Sequence, residues 1–288
     1  MRITASDRIM SPAVAVLKLL RATHPWFHAT GEDGEFRRRT RSVAPSVLVE
    51  VGSTLTLARA VGTGGEIALR RRQGAAGAVE ELIVNGAFAM DSAEVSSERA
   101  LAAVVGRPGA RVLVGGLGLG YTALELVRLG AARIEVVELE PCLVEWARAG
   151  MTTTLAAVAA EPAVRLRVGD IAAVLLGSAT GDEADGNEPD GVEPFHGPWD
   201  GILLDVDNGP DFLIHAENAR LYDRELLEAA AARLARGGIL AIWCQGAAPA
   251  LASTLAELAG EPGVRELAVE REGRRFVYVI YSLTRPGA

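Results

Sequence analysis

The chain has 288 residues, 49% of them hydrophobic, few aromatics, and a formal net charge of −8. That length holds one large domain, or one with a small appendage. The acidic balance argues against a nucleic-acid partner, whose phosphates call for a surplus of lysine and arginine, and is compatible with a cationic substrate. Cys142 and Cys244 stand far apart in apolar surroundings, and the four histidines form no ligand-spaced pair, so buried reduced thiols and no metal site are expected. Near the start, "SPAVAVLKLL" is broken by Lys18 and followed by no cleavage signal. No run reaches the roughly 18–20 apolar residues that cross a bilayer. A cytoplasmic protein without a membrane partner is the expectation.

In chain order, residues 1–45 form a mixed leader: a short helix near Pro12–Leu20, then Arg37, Arg38, Arg39 and Arg41, read as a solvated arm. Over residues 46–96, the runs "VLVEV", "EIALRRR" and "EELIVNG" are β-rich and separated by glycines, which predicts a small antiparallel β-domain. Residues 97–288 alternate strand and helix, the mark of a mostly parallel sheet with crossover helices. The strands are "RVLVGG", "RIEVVELE", "VRLRVGD", "GILLDVD" and "ILAIWC". "TALELVRLG", a segment from Pro141, and "RELLEAAAARLARGG" read as helices, the last ended by its glycines. The tail "VRELAVEREGRRFVYVIYSL" predicts a terminal antiparallel hairpin, which completes a Rossmann-like α/β sheet of the class I methyltransferase type. Between the third and fourth strands, residues 177–198 form an acidic Gly/Pro-rich insertion read as a surface loop.

Candidate site residues collect at the carboxyl ends of these strands. "VLVGGLGLGYTALEL" places Gly115, Gly116, Gly118 and Gly120 between a strand and a helix, where missing Cβ atoms let the backbone turn and approach a ligand. Glu138 ends the second strand about 20 residues on, where a carboxylate takes ribose hydroxyls. Asp170 ends the third, placed to accept a hydrogen bond from an adenine amino group. Leu139 and Ile171, which follow these acids, are assigned to the same cofactor wall. The spacing fits an adenosine-bearing ligand, S-adenosylmethionine or its decarboxylated form. NAD fits less well, because the glycines follow G-x-G-x-G rather than G-x-G-x-x-G.

"WDGILLDVDNGPD" is the most telling stretch: an apolar strand that meets Asp205, Asp207, Asn208 and Asp211 before and after a Gly-Pro turn. With the glycine loop, "VVELEP", "VGD" and the small β-domain, it resembles the spermidine synthase (polyamine aminopropyltransferase) family from about Ser46 to the C-terminus. The resemblance implies aminopropyl transfer from decarboxylated S-adenosylmethionine to a small-molecule amine, and pairing as homodimers or homotetramers. It makes Glu138 the ribose acid, Asp170 the adenine acid and Asp205 the catalytic base, with Asp207 and Asp211 as anchors for a second amine. An ammonium must lose a proton before it becomes a nucleophile, and a strand-end carboxylate can both hold it and take that proton.

Three positions depart from the family pattern. The glycine loop's aspartate is Gly118, which on sequence opens space for a ligand carboxylate. The second acid of the catalytic pair is Asn208. The usual upstream tyrosine is Ser96 or Ser97, with Glu98 matching the final acid of that segment. Alternatives stay open at several residues: Asp207 and Asp211 as turn residues, Glu98 as a helix start, and Tyr222 either flanking the pocket or packing on the sheet. Methyl transfer from S-adenosylmethionine and a non-catalytic nucleotide-binding role are the competing functions.

Overall fold

The computed structural model describes residues 54–74, 77–177, 197–213, 215–271 and 273–287. The expected helix near Pro12–Leu20, the arginines at 37–41, the run "VLVEV" and residues 178–196 of the acidic insertion lie outside them.

Four strands, β1 (Thr54–Gly62), β2 (Gly65–Gly74), β3 (Gly77–Val84) and β4 (Ala87–Asp91), form an antiparallel meander in sequence order. The last hairpin turns on Asn85-Gly86, both at positive φ (51° and 76°), the pair that matches the twist of a two-residue loop. Ile67, Leu69, Leu82 and Val84 alternate onto one buried face. Cross-strand pairs Arg71–Glu80 (2.8 Å) and Arg72–Glu81 (2.6 Å) fix the register toward the other end.

Helix α1 (Ser96–Val105) leads into a seven-stranded sheet. Its strands are β5 (Arg111–Gly115), β6 (Arg133–Glu138), β7 (Val164–Val168), β8 (Trp199–Leu204), β9 (Leu234–Cys244), β10 (Gly263–Arg271) and β11 (Arg274–Thr284). The order is β10-β11-β9-β8-β5-β6-β7, with β5 to β9 mutually parallel and β11 antiparallel to both neighbours. The expected parallel sheet with a terminal hairpin is therefore present. Because the chain winds outward from β5 through β6 and β7 and then crosses to β8 and β9, the order reverses at β5. In open α/β sheets the ligand crevice lies outside the carboxyl ends at that switch point.

The sheet is covered on both faces. Val112, Val114, Ile134 and Val136 face a cluster with α1, α2 (Tyr121–Arg128), α3 (Pro141–Arg148) and α4 (Thr153–Ala160), and this cluster also takes in Ile67, Leu69, Leu82 and Val84 of the small sheet. Leu113, Val137, Ile202 and Leu204 face the other, with α5 (Ile171–Leu176), α6 (Arg224–Ala232) and α7 (Pro249–Ala259). The small sheet is thus packed onto the large one, and Leu48–Ala288 form one compact unit. A polar clasp adds to this: the Thr63 and Gly64 N–H groups donate to the Glu140 carboxylate (2.7 and 3.2 Å). Cys142 and Cys244 are free and buried, one in each cluster, as expected; burial pushes their thiols up to about 11 and about 12.

One boundary differs from the sequence reading. The helix from Arg224 ends at Ala232, and "LARGG" opens β9 instead of extending the helix to its glycines. Tertiary partners override helix propensity here. The Arg233 carbonyl accepts from Trp199 N–H (2.9 Å), the Ala232 carbonyl accepts from Arg285 Nη1 (2.9 Å), and Leu234 is buried beside Trp199. No helix among the described residues is long and apolar enough to cross a membrane.

Candidate active site

A cavity of about 690 Å³ opens at the carboxyl ends of β5, β6, β7 and β8. Its roof comes from β3 and β4 of the small sheet and from the β10–β11 hairpin. The expected residues Gly116, Gly118, Glu138, Leu139, Asp170, Ile171, Asp205, Asp207, Asn208 and Glu98 all line it.

Gly116 (φ 89°) and Gly118 (φ 52°) form the turn after β5. A Cβ on Gly116 would sit 2.2 Å from the Asp205 carbonyl oxygen, so the loop depends on glycine there. Gly116→Ala is expected to destabilise the protein by about 2–4 kcal/mol, from left-handed strain plus a backbone clash. Urea denaturation checks this, and an unchanged midpoint would refute it. Gly115 and Gly120 are not cavity residues, which corrects their assignment to the cofactor wall. Gly115 makes room for Ile171, Leu204 and Val206, and Gly120 (φ 87°) starts α2 against Val158.

Glu138 is buried, and its carboxylate holds the glycine loop: Oε2 accepts from Leu117 N–H (2.7 Å) and Oε1 from Glu140 N–H (2.9 Å). Burial pushes its pKa up, and the Glu140, Leu117 and Gly118 N–H groups oppose that. With three N–H donors on it, the carboxylate keeps a lone pair for a ligand hydroxyl. Asp170 caps α5 through Ala172 N–H (2.8 Å) and forms an ion pair with Arg220 of the 3-10 helix Ala216–Tyr222. That half-exposed pair contributes little stability, so it yields readily to a ligand.

Asp205 and Glu98 are the electrostatic centre of the cavity. Asp205 follows β8, its N–H donating to the Gly115 carbonyl (2.9 Å) and its Oδ2 accepting from Thr122 Oγ1 (2.5 Å). Desolvation pushes Asp205 up to about 6, against the Thr122 hydrogen bond. Glu98, buried in the first turn of α1, accepts from Ser97 Oγ (2.7 Å). Burial, then the Asp205 charge, pushes it up to about 7. Two carboxylates raised by burial, Glu98 also by the Asp205 charge, hold protons near neutrality, the property a general base needs. Ser97 thus orients Glu98.

Other expectations need correction. Asp211 is exposed and outside the cavity, since the Gly209-Pro210 turn carries the chain away from the strand ends. Tyr222 is also outside it: its ring belongs to the core cluster with Cys244, and burial pushes its phenol well up. Asp207 lines the cavity at φ 77°, but its carboxylate clasps the local loop, accepting from the N–H groups of Asn208 (3.0 Å) and His215 (3.1 Å) and from Asn218 Nδ2 (3.0 Å). The turn reading of Asp207 fits this geometry. The space expected at Gly118 is taken by Met90, whose Sδ lies 2.6 Å from where a Cβ would stand and 3.3 Å from Leu119 N.

Sequence reasoning missed the roof. Phe88, Met90 and Asp91 from β4 meet Arg271 and Tyr278 from the terminal hairpin, with Trp243 from β9 beneath. Arg271 Nη2 donates to Asp91 (2.6 Å), and its guanidinium lies 4.8 Å over the Phe88 ring. Trp243 and Tyr278 meet edge to face at 5.1 Å. No three or more potential metal-ligating side chains gather among the described residues.

No family model and no curated protein matches the chain. Solved structures do. A spermidine synthase in complex with the transition-state analogue AdoDATO superposes with a TM-score of 0.58 at 15% identity, over 79% of this chain and 73% of that one. Spermidine synthase from Thermotoga maritima gives 0.57 at 15% identity, over 79% and 72%. A probable spermidine synthase from Corynebacterium glutamicum gives 0.53 at 17% identity, over 79% of each chain. The chain therefore has a spermidine synthase-like fold.

Proposed function

We propose that the chain is an aminopropyltransferase-like enzyme, moving an aminopropyl group from decarboxylated S-adenosylmethionine to an amine acceptor. The observation that carries this reading is the Asp205–Glu98 pair, two desolvated carboxylates in one cavity with the glycine loop, Glu138 and Asp170. In this reading the adenosyl group lies along Gly116, Glu138 and Asp170, which directs the sulfonium toward Asp205. An ammonium acceptor is drawn to the acid pair and gives a proton to it. The freed amine forms a C–N bond to the propyl carbon as the C–S bond breaks, and the electron pair leaves on sulfur in neutral methylthioadenosine. That a spermidine synthase of this fold binds AdoDATO supports the choice of donor.

Methyl transfer from S-adenosylmethionine gains no support from the site. The room expected at Gly118 for the donor's carboxylate is occupied by Met90. Incubation with decarboxylated S-adenosylmethionine and a panel of amines tests the reading. Release of methylthioadenosine is expected; no release with any acceptor would refute it, and formation of S-adenosylhomocysteine from the undecarboxylated donor would replace it with methyl transfer.

A further inference from the structure

At the far end of the cavity the carboxylates are already committed to partners, which leaves none for a second ammonium. Asp91 and Glu81 line it, yet both are committed to arginines: Arg271 and Arg72 on Asp91 (2.6 and 3.5 Å), Arg72 on Glu81 (2.6 Å). Asp91 also accepts from Ala93 N–H (3.0 Å). Glu94, at the rim, accepts from Ser96 N–H (2.7 Å). Asp211, the remaining acid of the strand-end cluster, is outside the cavity. Donors, by contrast, are in surplus. Arg271 bonds Asp91 and, at 3.4 Å, the Tyr278 hydroxyl, which uses fewer N–H groups than a guanidinium has. Arg274 lines the same end with no ion-pair partner among the described residues. Trp243 lines it too.

We propose that the acceptor substrate is a small zwitterion: an amine that also bears a carboxylate, its amine at Asp205 and Glu98 and its carboxylate toward Arg271 and Arg274. This rests on the reading of the cavity as an amine-acceptor site. The discrimination works at both ends. An amino acid satisfies the guanidinium donors that a diamine leaves unpaired, and a diamine brings its second ammonium against Arg271.

Calorimetric titration into the protein saturated with methylthioadenosine tests this with 4-aminobutanoate, 2,4-diaminobutanoate and 1,4-diaminobutane. The two carboxylate-bearing probes are expected to bind at least about tenfold tighter than the diamine, the worth of one charge-assisted hydrogen bond. Arg271→Gln should erase that preference. Arg274→Gln, at an exposed position, should reduce it about threefold and leaves a folded protein even if losing the Arg271–Asp91 tie loosens the roof. Equal or tighter binding of the diamine, no binding of any probe, or a preference untouched in both variants would overturn the inference. Binding and turnover are read separately: a protein that prefers the amino acids yet releases no methylthioadenosine from the decarboxylated donor keeps this inference and loses the aminopropyl reading.

Discussion

Asp205→Asn is expected to lower turnover by about a hundred- to ten-thousand-fold, the range for removal of a positioned general base, while donor affinity changes little. The amide keeps the shape and the contact with Thr122 but cannot take a proton from an ammonium acceptor. The same substitution should stabilise the fold at pH 8. A carboxylate whose folded pKa is raised to about 6 binds its proton more tightly folded than unfolded, so its contribution to stability is most favourable below the ordinary carboxylate range and is lost as pH rises through about 6. Ionised Asp205 therefore costs on the order of 2–3 kcal/mol above that range. Removing it should raise the melting temperature by several degrees at pH 8 and by much less near pH 4. Activity lost together with stability would mark Asp205 as a purely structural residue; activity retained would remove it from the chemistry.

The second large effect is on pH dependence. Burial raises Asp205 to about 6 and Glu98 to about 7, the latter also through the Asp205 charge. Because the base must be unprotonated to accept the acceptor's proton, kcat/KM is expected to fall steeply as pH drops from about 7 to below 6. Glu98→Gln removes the neighbouring charge, keeps a partner for Ser97 Oγ, and takes away the group whose rise depends partly on Asp205. The acid limb should then become a single ionisation at the lower value, with the rate reduced about ten- to a hundredfold. A profile flat between pH 5.5 and 8, or one unchanged in Glu98→Gln, would contradict the paired arrangement.

What the sequence shows of this site follows the physics of each element. Parallel strands buried on both faces read as apolar runs, and their ends read as Gly-Gly, Glu and Asp, so Gly116, Glu138, Asp170 and Asp205 are legible one by one and the βα alternation brings them to one rim. The roof is not legible, because it pairs residues about 180 apart: Asp91 on the small sheet with Arg271 on the terminal hairpin. No local spacing encodes such a contact. Strand β1 was equally hidden, since "TLTLARAVG" mixes small and charged residues and is only half-buried. Acids after β8 mislead for another reason: Asp205, Asp207 and Asp211 look alike in sequence, and only the positive φ at Asp207 and the Gly209 turn separate a cavity acid from a loop clasp and an exposed one. Gly118 misled because the side chain that fills its place, Met90, arrives from the other sheet.

The proposed transfer requires a glycine loop, two strand-end acids and a carboxylate pair to converge around one adenosyl thioether. A crystal structure of the protein soaked with methylthioadenosine measures that directly. The predicted result is adenine at Asp170, ribose hydroxyls on Glu138, and the sulfur turned toward Asp205 and Glu98. An adenosyl group bound anywhere else, or a cavity still empty at saturating ligand, would contradict it.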